Sequence, residues 1–379
     1  MANDLSYDLA IVGGGLAGLA LSVQVSRQGY KVILFEKEQY PFHRVCGEYI
    51  SLESWNFLQS LGLDLNALNV SRIKKLGVSS VNGKFFEQEL PLGGFGISRY
   101  KLDHTLAQIA RQSGVEIYEQ TRVDNIHFSN DEFIIETSKG RFKSKLAVGS
   151  FGKRSNLDVK LKRPFIIAKK NKLNNYIGVK YHIRHNFPDD LIALHNFQKG
   201  YCGISKVEDD QYCLCYLTNA DSLQASGNDI KKMEQTILSA NPFLKKIFAE
   251  CELIRQEPVI ISQISFDKKS LIEDHVLMVG DAAGMITPLC GNGMSMALHA
   301  SKIAAEENLK FLQGTISREL MEQHYAAKWR KLFDSRLRTG RMLQRLFDNQ
   351  WLTTLVVIIG KSFPGVIRML IKKTHGTSF

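Results

Sequence analysis

Apolar residues fall along this chain in two distinct rhythms. Asp8 to Val12 is a short apolar run that enters a glycine cluster, Leu16 to Gln28 carries apolar positions at helical spacing, and Lys31 to Glu36 is again a β-type run. Strand, helix and strand within about thirty residues make a βαβ unit, which predicts a parallel sheet. Further strands of that sheet are predicted at Lys145–Gly149 and His275–Val279, each running into a glycine-rich turn. Between them the rhythm changes. Tyr176 to Ile183 alternates, Leu191 to Phe197 is apolar, and Tyr212 to Leu217 is another β run, with Asn, Asp and Gly between them. That texture predicts an antiparallel sheet with one face covered and the other turned to a ligand. From about Ser317 the pattern is helical, and Trp351, Leu352, Leu355, Val356, Ile359, Phe363, Val366, Ile367 and Leu370 share an apolar face. Such a face is packed core in most proteins and touches lipid or a greasy substrate in a minority.

Composition narrows the class without naming a chemistry. The chain has 379 residues, 44% hydrophobic and 23% charged, the profile of an ordinary globular protein with room for two or three domains. Its formal net charge of +11 favours anionic partners such as a cofactor phosphate or an acidic membrane surface. Lys and Arg concentrate between Lys328 and Arg345, which reads as a solvated helix face. No aromatic-interleaved basic surface or recognition motif points to nucleic acid. The six cysteines form no C-x-x-C pair, so neither a zinc site nor a disulfide framework is expected, and a reducing cytoplasm fits. Residues 1–15 hold Asp4 and Asp8 and lead straight into a strand, with no signal peptide legible. The stretch Trp351 to Ile371 is interrupted by Gly360, Lys361, Pro364 and Arg368, too often to span a bilayer. A soluble or peripheral protein is expected, the latter at the inner face of a membrane through the C-terminal tail.

Gly13-x-Gly15-x-x-Gly18 follows the first strand and opens the first helix, where a phosphate-binding turn belongs. The first glycine permits a tight turn, the second lets a pyrophosphate approach the backbone, and the third lets helix pack on strand. Ala17 lies inside this turn, and the helix N-terminus offers free N–H groups. Glu36, ending the second strand, is placed to bind a ribose hydroxyl. The fold class expected is therefore α/β, with a discontinuous Rossmann-type dinucleotide domain, an inserted antiparallel β-sheet substrate domain and a helical C-terminal tail. The boundaries are 1–70, 96–165 and 266–316 for the first, 71–95 and 166–265 for the second, and 317–379 for the tail.

These residues leave FAD and NAD unseparated. Val279-Gly280-Asp281-Ala282-Ala283-Gly284, then Pro288 to Gly293, and Arg44-Val45-Cys46-Gly47-Glu48 carry a family likeness. In order along most of the chain, they resemble the FAD-dependent oxidoreductases grouped with geranylgeranyl reductases and p-hydroxybenzoate-hydroxylase-type monooxygenases. The resemblance implies FAD as cofactor, with Gly280 and Asp281 at a ribityl or ribose hydroxyl. It also implies that the loop through Gly291 and Asn292 opens a helix at Gly293 and Met294 whose N-terminus faces the flavin, where negative charge develops on reduction. Arg44 and Arg99 would meet the cofactor, a guanidinium suiting a pyrophosphate or flavin edge. Val123 would meet the adenine through its backbone, and Cys46 and Gly47 would stand over the flavin ring. Cys46, Gly291 and Asn292 are the catalytic candidates, although a lone cysteine is more often a small buried hydrophobe.

Two departures from the family bear on the reaction. Its second motif, Gly-Ala-Asp-Gly, is here Gly149-Ser150-Phe151-Gly152, followed by Lys153, Arg154 and Ser155, so the acid is replaced by Phe151. NAD(P)H stays a candidate electron donor through Lys153 and Arg154, with an external reductase as the alternative. The aromatic strand of the prenyl reductases, Tyr-x-Trp-x-Phe-Pro, is matched by Gly200 to Ser205, where only Tyr201 survives. That loss favours a monooxygenase that hydroxylates or epoxidises a hydrophobic or phenolic metabolite through a flavin hydroperoxide. The retained Cys46-Gly47-Glu48 favours the alternative, reduction of C=C bonds in an isoprenoid-like lipid. Either reaction needs a dry, apolar pocket for a hydrophobic small molecule.

Overall fold

The computed structural model describes residues 6–167, 175–347 and 349–379. Asp4, and residues 168–174 of the expected substrate domain, lie outside the described residues. Two sheets organise them. In the first, the strands Ile272–Glu273, Val276–Met278, Gly140–Gly149, Ser6–Val12, Val32–Phe35 and Glu116–Tyr118 lie side by side in that order. The pairings from Val276–Met278 to Glu116–Tyr118 are parallel, with Leu9 opposite both Val32 and Leu146. The third of these strands was expected to start at Lys145; it begins at Gly140 because it also closes an antiparallel meander with Val123–Ser129 and Glu132–Thr137.

The helix after the glycine turn runs Leu16–Ser26, two residues shorter than its apolar spacing suggests, and Gly29 at φ +85° turns the chain back. It is buried nearly all round. The sheet covers one side, and helices Arg99–Gln112 and Gly293–Leu312 cover others. A helix so enclosed has small and apolar residues on every face and no amphipathic stripe to show.

The second sheet runs Glu252–Leu253, Tyr176–Arg184, Tyr212–Asn219, Gly200–Lys206, Leu191–Phe197, Ser71–Ser79, Phe85–Gly96 and Tyr49–Ser51, with Val259–Ile264 also on Tyr176–Arg184. It is antiparallel except where Leu191–Phe197 meets Ser71–Ser79 in parallel. Tyr49–Ser51 joins it from within the 1–70 segment. Both faces are covered by other parts of the chain, and the second borders a cavity through Val78 and Leu194. Helices Ile230–Thr236 and Pro242–Glu250 contribute Met233, Leu244 and Ile247 to one face. The other is covered by Phe266 and Met285, and farther along by Phe347, Val357 and Ile367.

Three helices, Arg318–Phe347, Gln350–Ser362 and Pro364–Thr374, end the chain. Asn349 caps the second by accepting from the Trp351 and Leu352 N–H groups, and Pro364 starts the third, where its missing N–H costs nothing. The single apolar face read from the sequence is in fact two. Val357, Ile367 and Ile371 turn inward, while Trp351 is 87% exposed and Phe363 63%. The basic run is likewise divided: Arg330, Lys331, Arg338 and Arg345 are solvated, but Arg336 is buried 3.7 Å from Glu53.

Candidate active site

The strands of the first sheet deliver their carboxyl ends to one edge, and the motif residues gather there, as ligands do in open α/β sheets. Gly13 adopts φ +106°, and a Cβ on it would lie 2.4 Å from the Ser150 carbonyl oxygen. A Cβ on Gly18 would lie 2.3 Å from the carbonyl oxygen of Gly13. These two glycines are structural necessities of the turn. Gly15 differs: a Cβ there would meet only the Arg99 guanidinium, at 3.6 Å, so the space over it is open. No side chain caps the helix that starts at Leu16. Nor does one cap the helix that starts at Gly293, and Gly291 before it is left-handed at φ +62°. The two helices pack together, and Gly280 lies against both, since a Cβ on it would sit 3.3 Å from that of Ala17 and 3.7 Å from that of Ala297. Two uncapped helix N-termini beside an open glycine and an arginine form a cradle for a phosphate-bearing dinucleotide.

A chain of alternating charges borders the cradle. Glu36 accepts from the Gly14 N–H (2.9 Å) and from Arg44 (2.8 Å). Arg44 also reaches Asp103 at 3.2 Å, and Asp103 grips Arg99 through two bonds of 2.7 Å. Burial opposes the charge on Arg99, but the Asp103 carboxylate more than offsets it and holds the guanidinium firmly protonated. Glu36 thus sits at the end of its strand as expected, with part of its bonding capacity spent on the glycine turn and on Arg44. Tyr40, which the motif reading missed, donates to the Gly14 carbonyl at 2.5 Å. Val123 begins its strand just past Thr121, whose N–H donates to the Glu36 carbonyl at 2.9 Å.

The Cys46 turn closes over this edge. Cys46 Sγ lies 3.7 Å from Met294 Sδ, so two segments far apart in sequence meet at the start of the second helix. Nothing lies within 4 Å of a Cβ placed on Gly47. Glu48 is held left-handed at φ +55° and is fully buried. Its carboxylate accepts from Lys180 (2.6 Å) and from the Arg99 N–H (2.9 Å), and lies 2.5 Å from His182 Nε2. Burial alone would raise its pKa; the Lys180 ammonium and His182 outweigh that and hold it down to about 2. Cys213, with Glu48 and His182, completes a compact cluster of ligand-type atoms, but the Lys180 ammonium already supplies the positive charge at its centre. Sequence reading overlooked Lys180 and His182. The alternation of Tyr176–Arg184 was the available signal, since a Lys and a His there occupy positions the strand buries.

Gly280, at φ +61°, begins the short turn that carries the half-buried Asp281. Two buried cations hold this turn by its carbonyls. Lys269 donates to Asp281 O (2.9 Å) and Lys153 O (3.0 Å), and Arg163 donates to Ala282 O (2.9 Å) while paired to Asp158 at 2.8 Å. Burial pulls the Lys269 pKa down to about 8 against the opposing carboxylates of Asp158 and Asp281. Phe151 fills the space between Gly149 and Met278, its ring 2.6 Å from a Cβ placed on Gly149. Lys153 is engaged by the Val45 carbonyl at 3.1 Å. Asn292 is fully buried and donates to the Thr374 carbonyl at 2.7 Å, so its amide serves the C-terminal helix. Gly291 instead faces an apolar cavity of about 110 Å³. Leu194 and Val78 of the second sheet, Leu289 of the loop, and Val356, Ile367 and Ile371 of the last helices line it. Tyr49 and His375 add polar atoms to its lining, and the Tyr49 hydroxyl and His375 Nε2 are buried without a partner. Nothing in the sequence marked this cavity, because its lining is common aliphatic residues drawn from four separate segments.

A family model described as FAD binding domain matches residues 6–333. The conditioned medium factor receptor 1 of Dictyostelium discoideum is 25% identical over 84% of this chain, which spans 65% of that protein's length. The digeranylgeranylglycerophospholipid reductase of Methanococcus vannielii is 24% identical, covering 92% of this chain and 90% of the reductase. Among solved structures, a flavin-dependent brominase superposes with a TM-score of 0.78 at 20% identity, covering 98% of this chain and 95% of the brominase.

Proposed function

The chain belongs to the FAD binding domain family, and from that premise we propose that this FAD-dependent oxidoreductase acts on a hydrophobic, chain-like molecule held in the cavity beside Gly291. The cavity is the observation that carries the reading. Its lining is mostly aliphatic, with Tyr49, Phe86, Phe347 and His375 as its aromatic rings, and holds no Asp, Glu, Lys or Arg. Such a lining suits a flexible hydrocarbon and gives a phenolate no charged partner. Reduction of a C=C bond is the reaction this lining supports best, in keeping with the near full-length similarity to a reductase whose name specifies geranylgeranyl chains.

FAD would supply two-electron chemistry, passing on a hydride received from a donor. Gly13, Gly15, Ala17 and Gly18 with the first helix, together with Arg44, Arg99, Gly280 and Asp281, would hold its pyrophosphate and sugars. Glu36 and Val123 would border the adenosine end, and Gly293 and Met294 would offer the second helix N-terminus to the flavin. Cys46 holds an exchangeable proton at the same edge, and Glu48 positions that turn through Lys180 and His182. The apolar walls exclude water from the reacting carbon. Segments 1–70, 96–165 and 266–316 form the cofactor half in this reading, 71–95 and 166–265 the substrate half, and 317–379 the wall that closes the cavity. Phe151 and the engaged Lys153 favour an external reductase over NAD(P)H as donor.

Monooxygenation is the second reading, favoured by the loss of the Trp and Phe-Pro positions after Tyr201. Product mass separates the two. Enzyme supplied with a chemical reductant and a lipophilic polyene should yield product two hydrogens heavier without oxygen. A product one oxygen heavier, formed only in air, would replace this reading with the second.

A further inference from the structure

The last two helices are bent against each other by 113°, and among the described residues no single helix is long and apolar enough to cross a membrane. The pair is not a broken span either. Val357 is 1% exposed and Ile367 6%, both seated against the second sheet, so one side of each helix belongs to the protein core. The opposite side is apolar and exposed: Trp351, Leu355, Ile358, Phe363, Val366 and Met369 all lie open. Lys361, Arg368, Lys372 and Lys373 are exposed on the same two helices. From residue 349 to 379 the chain contains no Asp or Glu. Aromatic and aliphatic side chains in one exposed layer, with cations and no acid on the two helices themselves, are the chemistry of a helix lying in a lipid interface.

We propose that the outer face of Gln350–Ser362 and Pro364–Thr374 docks this protein on an anionic lipid surface. Charge complementarity selects the occupant: a protein partner of ordinary composition needs no acid-free rim, whereas an anionic bilayer attracts each cation in it. Trp351 and Phe363 enter the headgroup boundary while Val357 and Ile367 stay packed on the sheet. The inner side of these helices is also the cavity wall, through Val356, Ile367 and Ile371. Docking therefore brings the cavity next to the acyl layer, and an apolar substrate enters from the bilayer; this last step rests on the proposed function, while docking itself does not.

The test uses the full chain with FAD bound and sucrose-loaded vesicles, either pure phosphatidylcholine or seven parts phosphatidylcholine to three of phosphatidylglycerol. The protein should sediment with the mixed vesicles and stay in solution with phosphatidylcholine alone. Trp351 emission should shift to the blue on binding, because of the other two tryptophans Trp329 is buried and Trp55 is packed between Phe95 and Arg72, away from this face. Each of Lys361→Gln, Arg368→Gln, Lys372→Gln and Lys373→Gln should lower the partition about fivefold, the worth of one interfacial cation. Phe363→Ser, which leaves the Trp351 reporter in place, should lower the sedimented fraction and shrink the blue shift. Flavin absorbance and melting temperature, unchanged in these surface variants, show that the fold is intact. Equal sedimentation with both vesicles, or partition untouched by the four charge changes, overturns the proposal. So does a concentration-dependent dimer, without vesicles, that Trp351→Ser with Phe363→Ser dissolves, since a second copy would then cover this face.

Discussion

At the carboxyl edge of the first sheet, the residues around Gly13, Gly15, Glu36, Arg44 and Arg99 are glycines and charges, each held by a specific neighbour. On the far side of the Pro288–Gly291 loop, the cavity walls are mostly Leu, Val, Ile and Phe, with Tyr49, Thr374 and His375 the few polar members. The two regions meet at Gly291, yet they obey different rules. A glycine whose absent Cβ is occupied by backbone at 2.4 Å admits no substitute. An aliphatic lining tolerates exchanges of equal volume and fails when volume or charge changes. In the proposed function the cradle selects the cofactor, and the cavity limits how long and how apolar a substrate is.

The comparison breaks most visibly at Gly13. Gly13→Ala forces a side chain into the Ser150 carbonyl at a left-handed φ; the purified variant should be colourless, with flavin absorbance lost. Glu48→Ala comes next. It strips the carboxylate from Lys180 and His182 and leaves a buried cation unpaired, at a cost of about 3–5 kcal/mol in denaturant unfolding. The pH profile follows from the depressed pKa of Glu48. Its contribution is full above the ordinary glutamate value of about 4.3 and is lost as the pH falls through about 2. Wild type should therefore lose stability across that acid window more steeply than Glu48→Gln.

Leu289→Trp sharpens the contrast from the other side. It fills the cavity without touching the cradle, so FAD loading should stay complete while KM for a long apolar substrate rises about tenfold or kcat collapses. Leu194→Met is the smallest effect, a volume-conserving exchange that should cost under about 1.5 kcal/mol and leave turnover close to wild type. An equal loss of flavin in Leu289→Trp and Gly13→Ala would show that the two regions are not separable.

What the sequence made legible follows the same line. Gly13, Gly15 and Gly18 announce themselves because backbone geometry admits few residues there, and Glu36 because a strand end beside that turn demands a polar partner. The cavity was invisible. Leu194, Leu289, Val356 and Ile367 are unremarkable singly, and only tertiary packing brings them together. Lys180 and His182 hid inside a strand read as having one covered face and one turned to a ligand, and burial on both sides of that strand made them partners of Glu48. The C-terminal apolar face was visible as a composition, but its division into an inward and an outward side depended on the sheet that covers Val357 and Ile367 and leaves Trp351 and Phe363 open. Asn292 was expected at the chemistry because of its place beside Gly291; its side chain turns to Thr374 instead.

The account joins a cofactor cradle to an apolar cavity at Gly291, and anaerobic single turnover tests that junction most directly. Reduced, FAD-loaded protein is mixed without oxygen with a lipophilic polyene, and the flavin spectrum is followed in wild type and in Leu289→Trp. The account predicts that oxidised flavin returns at a rate set by polyene concentration in wild type and far more slowly in the filled variant. Flavin that stays reduced until oxygen is admitted, or that reoxidises equally fast in both proteins, would contradict it.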